Sequence, residues 1–170
     1  MELQIRSESV RSFTLALTVF VMAAGVAFAD QIDTTLNKNE TPEGGWSVNF
    51  STGGSCEEEC AVADLSCESS RSASFMLNDL PGTEAAALMT SDDGKTSLKV
   101  AGRRFALSLQ QFSFVELTGA WNVTARLEDD QLAFYKAIGT AKTFDAVLNK
   151  RKLTLPVNQD VRNWAKSCAE

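Results

Sequence analysis

The stretch RRFALSLQQFSFVELTGAWNVTARL, residues 103–127, decides the fold class of this chain. In its first part, apolar side chains recur at every second position, at Phe105, Leu107 and Leu109. Because successive side chains of a strand point to opposite faces, this alternation predicts a half-buried β-strand. FSFVEL and WNVTARL continue the pattern on either side of Thr118-Gly119. We therefore expect consecutive antiparallel strands that are neighbours in sequence and in space.

The same alternation extends upstream of this stretch. It predicts strands in WSVNF, in a weaker segment from Ala61 to Leu65, and in RSASFMLND, which Pro81-Gly82 ends. The segment AAALMTSDDGKTSLKV, residues 85–100, is expected to form a hairpin, because Asp93-Gly94 tolerates the positive φ angles of a tight two-residue turn. Ala101-Gly102 then reverses the chain into RRFALSL.

The hydrophobic period changes from that of a strand to that of a helix at Glu128. EDDQLAFYKAIG predicts a helix with three acids in its first turn, near the positive end of the helix dipole, and with Gly139 as its stop. KTFDAVL and KLTLPV predict a hairpin around Asn149 to Arg151. Asn158 is expected to cap a short final helix. Its apolar residues recur at helical spacing: Val161, Trp164 and Cys168.

Together these elements predict a mainly β protein. The expected architecture is an antiparallel β-sandwich or small barrel of about 7–9 strands, with two short helices near the C-terminus. Trp46, Trp121 and Trp164 all fall on inward faces of the predicted elements, so we expect them to pack in the core.

The amino terminus has the pattern of an export signal. Arg6 and Arg11 precede an uncharged apolar run that ends in Ala27-Phe28-Ala29, in which Ala27 and Ala29 are the small residues that signal peptidase requires. An uncleaved anchor is the alternative, since the run approaches the length that crosses a bilayer. We predict a cleaved signal peptide over residues 1–29, a flexible polar tether over 30–45 and a single disulfide-stapled domain over 46–170. The protein is then periplasmic or secreted, with no integral membrane span after cleavage.

Charge and composition limit the partners and the chemistry. The chain has 16 basic and 22 acidic residues, no histidine, and a net charge of −6 that removal of the leader leaves unchanged. An acidic surface disfavours nucleic acid as a partner. Without histidine, the chain lacks the usual general base near neutral pH and the commonest transition-metal ligand.

The four cysteines are best explained as disulfides. Cys56, Cys60, Cys67 and Cys168 form an even set in an exported chain, and they allow three pairings. A bridge from Cys168 to Cys60 or Cys67 would hold the final helix to the early strands. A four-thiolate zinc site would need closer cysteine pairs, and a thioredoxin-type pair would need C-x-x-C without the three flanking glutamates. We therefore predict neither a metal nor a cofactor.

Carboxylates provide the remaining candidates for catalysis. One group is Glu128, Asp129 and Asp130, and the other is Asp92 with Asp93. Paired carboxylates act as acid and base only when their environments separate their pKa values. Each group already has a local role, as a helix first turn or a hairpin tip, so we predict no catalytic residue.

Basic residues form two local clusters that are candidates for binding. Arg103 and Arg104 lie at one predicted turn, and Lys150, Arg151 and Lys152 lie at another. They either protect strand edges from pairing or contact an acidic partner or an anionic envelope polymer.

Two parts of the chain resemble a known family. GGWSVNF followed by cysteines, and the late run AFYKAIGTAKTFDAVLNKRKLTLPVNQDVRNWAKSC, resemble the small secreted proteins of the invasion-associated locus B type found in proteobacteria. The resemblance implies a β-rich, non-enzymatic periplasmic or surface protein with a role in envelope fitness or host-cell entry. It implies no site residues.

The predicted function is therefore binding, with another envelope or host protein as the partner. Two alternatives remain open: an inhibitor of a foreign hydrolase such as lysozyme, and a carboxylate-based hydrolase. A deep pocket lined by two of the named carboxylates would favour the hydrolase. A protruding loop from Ser51 to Cys67 would favour the inhibitor, and a flat apolar patch would favour a partner protein.

Overall fold

The computed structural model describes residues 32–38, 44–52, 61–68, 72–91 and 96–170. Within these residues, nine strands and three helices follow one another along the chain. The strands are β1 (Ile32–Lys38), β2 (Trp46–Thr52), β3 (Ala61–Cys67), β4 (Ala73–Leu80), β5 (Thr96–Val100), β6 (Arg103–Val115), β7 (Ala120–Leu127), β8 (Thr143–Leu148) and β9 (Arg151–Pro156). The helices are α1 (Gly82–Met89), α2 (Gln131–Thr140) and α3 (Gln159–Ala169).

The strands form one antiparallel sheet in the order β1-β2-β3-β4-β7-β6-β5-β8-β9. The sheet curls into a nearly closed barrel, and α3 connects its two edges because it follows β9 and packs against β1 and β2. At this junction Thr34 Oγ1 donates to Asp160 Oδ2 at 3.1 Å, and Asn158 Nδ2 donates to Thr34 Oγ1. The predicted fold class is confirmed, with two of the three helices near the C-terminus.

The barrel interior is filled by the alternate residues that the sequence pattern places inward. Phe50, Phe75, Phe105 and Phe144 are each at most 1% exposed. The inner faces of α2 and α3 extend this core with edge-to-face aromatic contacts, in which the ring of Trp164 lies 5.5 Å from that of Tyr135 and 6.3 Å from that of Phe134. Burial raises the pKa of the Tyr135 hydroxyl above its ordinary value.

The predicted tether over residues 30–45 is wrong for residues 32–38, which form β1. Its side chains are mostly polar, but Ile32, Thr34 and Leu36 alternate on the half-buried face. The strand pairs with β2 along its whole length, from Ile32 opposite Thr52 to Lys38 opposite Trp46. As an edge strand it needs only one half-buried face, which a short polar segment can supply. The predicted signal peptide, residues 1–29, lies outside the described residues.

The predicted hairpin over residues 85–100 is wrong in its first arm, which is helix α1. Alanine has the highest helix propensity, and Pro81 and Glu84 suit the start of a helix. Ala85 and Leu88, three residues apart, are the buried face. The second arm is β5 as predicted, whereas Asp92, Asp93 and the Asp93-Gly94 turn lie outside the described residues.

Helix α2 begins three residues later than predicted, so the acids precede it instead of filling its first turn. Asp130 is the N-cap, and its Oδ1 accepts a hydrogen bond from the backbone N–H of Ala133 at 3.1 Å. Gly139 does not stop the helix, which continues to Thr140. The predicted cap of the last helix is confirmed, because the side chain of Asn158 accepts from the N–H groups of Asp160 and Val161.

Candidate functional site

The barrel has two ends of different construction. At the first, which we call the helical end, β2 begins, β3 ends, and α2 and α3 close the barrel. At the other, which we call the cavity end, β2 ends, β3 begins, and the β6–β7 hairpin turns.

The helical end is fixed by covalent and close backbone contacts. Cys67 and Cys168 form a disulfide with a Cα–Cα distance of 6.0 Å, so the terminal helix is tied to β3, one of the two pairings expected for Cys168. Beside it, Trp164 Nε1 donates to the backbone oxygen of Trp46 at 3.1 Å. A Cβ on Gly45 would lie 2.2 Å from the Cys67 oxygen, and its φ is +127°, so only glycine fits there. Cys56 and Cys60 lie outside the described residues.

The cavity end contains a surface cavity of 920 Å³. Its lining residues belong to the parts of β2, β3 and β4 that are nearer the cavity end, to the β6–β7 hairpin and to β9. Two carboxylates border it, those of Asp64 and Asp79, and apolar side chains such as Val62, Met76 and Leu117 supply the walls. The cavity therefore combines acceptor groups with apolar surface.

A line of polar side chains crosses the outer face of the first four strands beneath this cavity, and we call it the amide ladder: Asn37, Asn49, Asp64 and Asn78. Asn37 Nδ2 donates to Asn49 Oδ1 at 2.8 Å. Asn49 Nδ2 and Asn78 Nδ2 then donate to the two carboxylate oxygens of Asp64, at 2.5 and 2.9 Å. Asp64 is only 8% exposed, so these charge-assisted bonds compensate its desolvation.

The amide ladder leaves one acceptor without a donor. Because Asn78 Nδ2 donates to Asp64 Oδ2, the nitrogen of the Asn78 amide is directed toward Asp64. Its oxygen, Oδ1, is then directed elsewhere, and it is buried with no hydrogen-bond partner among the described residues. A buried acceptor of this kind costs free energy unless a ligand or water donates to it.

The β6–β7 hairpin forms an apolar tip beside the cavity, which we define as Phe114, Leu117 and Trp121. Phe114 is 52% exposed and Leu117 is 81% exposed. The Phe114 ring packs against that of half-buried Trp121 at 5.3 Å, and the turn is closed by Gly119, whose N–H donates to the Val115 oxygen at 2.9 Å. Leu117 also lines the cavity, so the apolar tip and the cavity are one continuous surface.

The three tryptophans do not share one environment. Trp164 is fully buried, as predicted. Trp46 and Trp121 are only partly buried, and both pack against the edge of the core instead of lying within it.

The structure places the predicted basic residues at separate locations. Arg103 follows the turn at one end of β5, and its guanidinium lies 5.1 Å from the ring centre of Phe105. Arg104 is exposed and lies opposite Lys99 in the register of β5 and β6. Lys150 follows Leu148, which pairs with Thr96 at the opposite end of β5. The two clusters therefore do not combine into one patch.

Two of these basic residues form ion pairs. Arg151 Nη1 lies 2.9 Å from Glu84 Oε2, and Lys152 Nζ lies 2.9 Å from Asp145 Oδ2. Partial burial alone would raise the pKa of Asp145, but hydrogen bonds from Lys152 and Thr154, together with the charges of Lys152 and Lys99, outweigh it and lower the pKa below its ordinary value. Of the predicted basic residues, Arg151 is the one that borders the cavity.

The predicted carboxylate cluster holds the backbone in place. Asp129 Oδ2 accepts from the N–H of Ala106, and Asp130 caps α2, while Glu128 is exposed. These residues follow β7 at the helical end, away from the cavity. In the part of the chain that the structure describes, no group of three or more Cys, Asp or Glu side chains is placed to hold a metal ion.

Sequence reasoning missed the polar side of the cavity. Asn49, Asp64 and Asn78 occupy outward positions of three predicted strands, a pattern that by itself indicates only a solvated face. Their proximity depends on register, with Asn49 opposite Asp64 and Asn78 on the diagonal from it. The alternation of single strands carries no such information.

Comparison with known proteins gives no relative: the chain matches no protein-family model, no curated protein and no solved structure. Among the described helices, none has both the length and the apolar character needed to cross a bilayer.

The candidate site is the continuous surface made by the apolar tip and the adjoining cavity, which share Leu117.

Proposed function

We propose that this chain is an exported protein of the periplasm or the extracellular space that acts by binding another protein and not by catalysis. The observation that supports this most is the exposure of the apolar tip, with Phe114 at 52% and Leu117 at 81%. Large apolar side chains that remain together in contact with water are typical of protein docking sites. Export is supported by the leader pattern and by the Cys67–Cys168 disulfide, a bond that persists in oxidising compartments.

The hairpin presents these side chains in a fixed geometry. Its two strands stay paired up to Val115 opposite Ala120, and the ring of Phe114 is held by Trp121. A side chain that is already ordered loses little entropy when a partner covers it, so rigid aromatic groups contribute strongly to binding. The tip is therefore suited to bind without rearrangement.

The chemistry of the surface favours a basic partner. The chain carries a net charge of −6, and two carboxylates, Asp64 and Asp79, border the cavity beside the tip. Opposite charge on the partner would speed its association and align the two surfaces. The resemblance to the invasion-associated locus B type supports placing this partner in the cell envelope or on a host cell, with a role in envelope fitness or host contact.

The two alternatives differ in their support. Inhibition of a foreign basic hydrolase such as lysozyme is a special case of the same binding proposal, because the acidic cavity and the projecting tip also suit an enzyme's basic surface. A carboxylate-based hydrolase has less support, since Asp129 and Asp130 are engaged by backbone N–H groups.

The proposal is tested with a double variant of the tip, Phe114→Ser with Leu117→Ser. Both side chains are exposed, so the variant should fold with a melting temperature close to that of the wild type. Proteins captured from envelope and host-surface extracts by the immobilised wild type are identified, purified and titrated by calorimetry. We expect the double variant to bind the captured partner at least about tenfold more weakly, as loss of an aromatic anchor implies.

Leu132→Ser is the matched control, because Leu132 is 41% exposed on α2 at the helical end. It should bind like the wild type. Equal affinity of the tip variant and the wild type would reject the tip as the binding surface. Failure to capture any protein that binds in purified form would reject the function itself.

A further inference from the structure

The cavity beside the apolar tip has a chemistry of its own that points to one kind of ligand group. Five of its described lining side chains carry amide or carboxylate oxygens: Asn49, Asp64, Asn78, Asp79 and Asn122. We propose that this cavity binds a guanidinium group. The source of that group is an arginine side chain of the protein partner, and this second step rests on the proposed function.

The first support is the direction of the hydrogen-bonding groups. Asp64 fixes the nitrogen of Asn78, which leaves Asn78 Oδ1 as a buried acceptor without a donor. Asn122 Oδ1 accepts only a long 3.4 Å hydrogen bond from the backbone N–H of Asp79 among the contacts of the described chain. A ligand that donates would satisfy both acceptors, with local opening required at the buried Asn78 Oδ1, and the guanidinium group carries five N–H donors and no acceptor.

The second support is the charge of the lining. Among the described lining residues, two carboxylates stand against one cation, Arg151. Arg151 is already paired with Glu84 of α1, which does not line this cavity, so its charge is largely compensated elsewhere. The cavity therefore keeps an acidic character that favours a cationic ligand and disfavours an anionic one.

The third support is the apolar part of the wall. Val62, Met76, Val115 and Leu117 line the same cavity as the acceptor oxygens. The stem of an arginine side chain is apolar and its head is charged, so the stem can pack on such a wall while the head reaches the acceptors. A guanidinium is also more weakly hydrated than an ammonium group, which lowers the cost of placing it in a partly enclosed site.

The ligand group is tested with two probes of the same length, N-acetyl-arginine amide and N-acetyl-citrulline amide. Citrulline replaces the guanidinium with a neutral urea, so the pair differs in charge and in one donor group. Titrations followed by two-dimensional NMR of the backbone amides should show arginine amide binding at least about tenfold more tightly, as removal of a charged hydrogen-bonding partner implies. The shifted signals should include those of Asn78, Asp79 and Asn122. Equal affinity for the two probes, or shifts confined to other residues, would overturn the proposal.

Asp79→Asn is the informative variant of the cavity. Asp79 has a φ of +55°, a conformation that asparagine tolerates well, and its side chain is exposed, so the substitution removes a charge with little effect on folding. We expect about a threefold or greater loss of affinity for arginine amide and almost no change for citrulline amide. Glu128→Gln makes the same charge change at the helical end and should leave both affinities unaltered. If Asp79→Asn and Glu128→Gln behave alike, the cavity is not the site.

The failure of this inference and the failure of the proposed function are distinguishable with Phe114→Ser. Phe114 belongs to the apolar tip but does not line the cavity, so this variant should lose affinity for the protein partner and keep its affinity for arginine amide. If no protein partner is found while arginine amide binds, the proposed function fails alone. If a partner binds through the tip while the two probes bind equally, the guanidinium assignment fails alone.

Discussion

The two ends of the barrel are built from the same strands but stabilised in opposite ways. At the helical end, Trp164 and Cys168 are buried, and a disulfide joins the last helix to β3. Toward the cavity end, the amide ladder crosses β2, β3 and β4 beneath the cavity, and Phe114 and Leu117 of the apolar tip remain exposed. Apolar burial and a covalent bond supply stability at the first end, whereas the second end leaves polar and apolar groups available to a ligand. If the proposed function holds, stability and recognition are separated along one barrel axis.

This separation predicts unequal consequences of damage to the two ends. A change at the helical end should lower the free energy of unfolding, because it opens the closed part of the core. A change at Phe114 or Leu117 of the apolar tip should alter binding and leave stability almost unchanged, because these two side chains are already largely in water.

The largest effect is expected from removal of the disulfide by Cys67→Ala with Cys168→Ala. The bond closes a loop of 101 residues, and the chain-entropy description of the unfolded state gives a loss of about 4–5 kcal/mol for a loop of that length. Urea denaturation followed by circular dichroism measures it. The affinity of the variant for arginine amide, measured where it is still folded, should match that of the wild type. A loss below about 1 kcal/mol would show that the helical end does not depend on its covalent link.

The next effect comes from Trp164→Ala. Trp164 is fully buried among the aromatic residues of α2 and donates to the backbone of β2, so its truncation should cost about 3–5 kcal/mol. Trp121→Ala is the matched change at the cavity end. Because Trp121 is only partly buried, we expect it to cost less than about 2 kcal/mol. Equal losses, measured by thermal and urea unfolding, would contradict the proposed difference between the ends.

The helical end was also the part that the sequence predicted best. The stripe of Val161, Trp164 and Cys168 has helical spacing, and Asn158 has the side chain that caps a helix. Strand alternation likewise identified the buried faces of β6 and β7. Such features depend on residues that are close in sequence, which is the information that a local pattern contains.

Two elements were missed, for different physical reasons. β1 is polar enough to indicate a tether, but it gains its order by pairing with β2 along its whole length. The Ala-rich arm of the expected hairpin is α1, as its composition favours; Ala85 is buried and Leu88 belongs to the core. A helical period in so short a run is difficult to distinguish from alternation.

The candidate site was predicted least well, for a physical reason. Asn49, Asp64 and Asn78 are separated in the sequence and meet only through the register of three strands. The residues that drew attention in the sequence, such as Asp129 and Arg151, were instead engaged by a backbone N–H group and by an ion pair. Charged clusters in the sequence therefore marked residues with local structural contacts. The polar side of the cavity depends instead on the register of β2, β3 and β4.

A moderate effect is expected from Asp64→Ala at the cavity end. The substitution leaves the amide groups of Asn49 and Asn78 without their acceptor in a buried position, which should cost about 1–3 kcal/mol. Asn37→Ala removes the exposed end of the same ladder and should cost less than about 0.5 kcal/mol. Urea denaturation of both variants provides the comparison. If the Asp64 variant were as stable as the Asn37 variant, the ladder would not support the cavity end.

The smallest effect is expected at Asp145, on the outer face of β8. Its lowered pKa means that the folded state prefers the ionised carboxylate, so its contribution to stability is present above the ordinary pKa of 3.8 and is lost as the pH falls through the lowered value. Asp145→Asn should therefore destabilise the protein by less than about 1 kcal/mol at pH 7, and the difference should vanish in strong acid. Lys152→Gln removes the main cationic partner of Asp145. The stability of this variant should therefore change less with pH across the acid range than that of the wild type. Unfolding free energies of the wild type and Asp145→Asn are measured across the acid range. A constant difference between them would contradict the assignment, because an ion pair that forms only with the ionised carboxylate cannot stabilise the fold after that carboxylate is protonated.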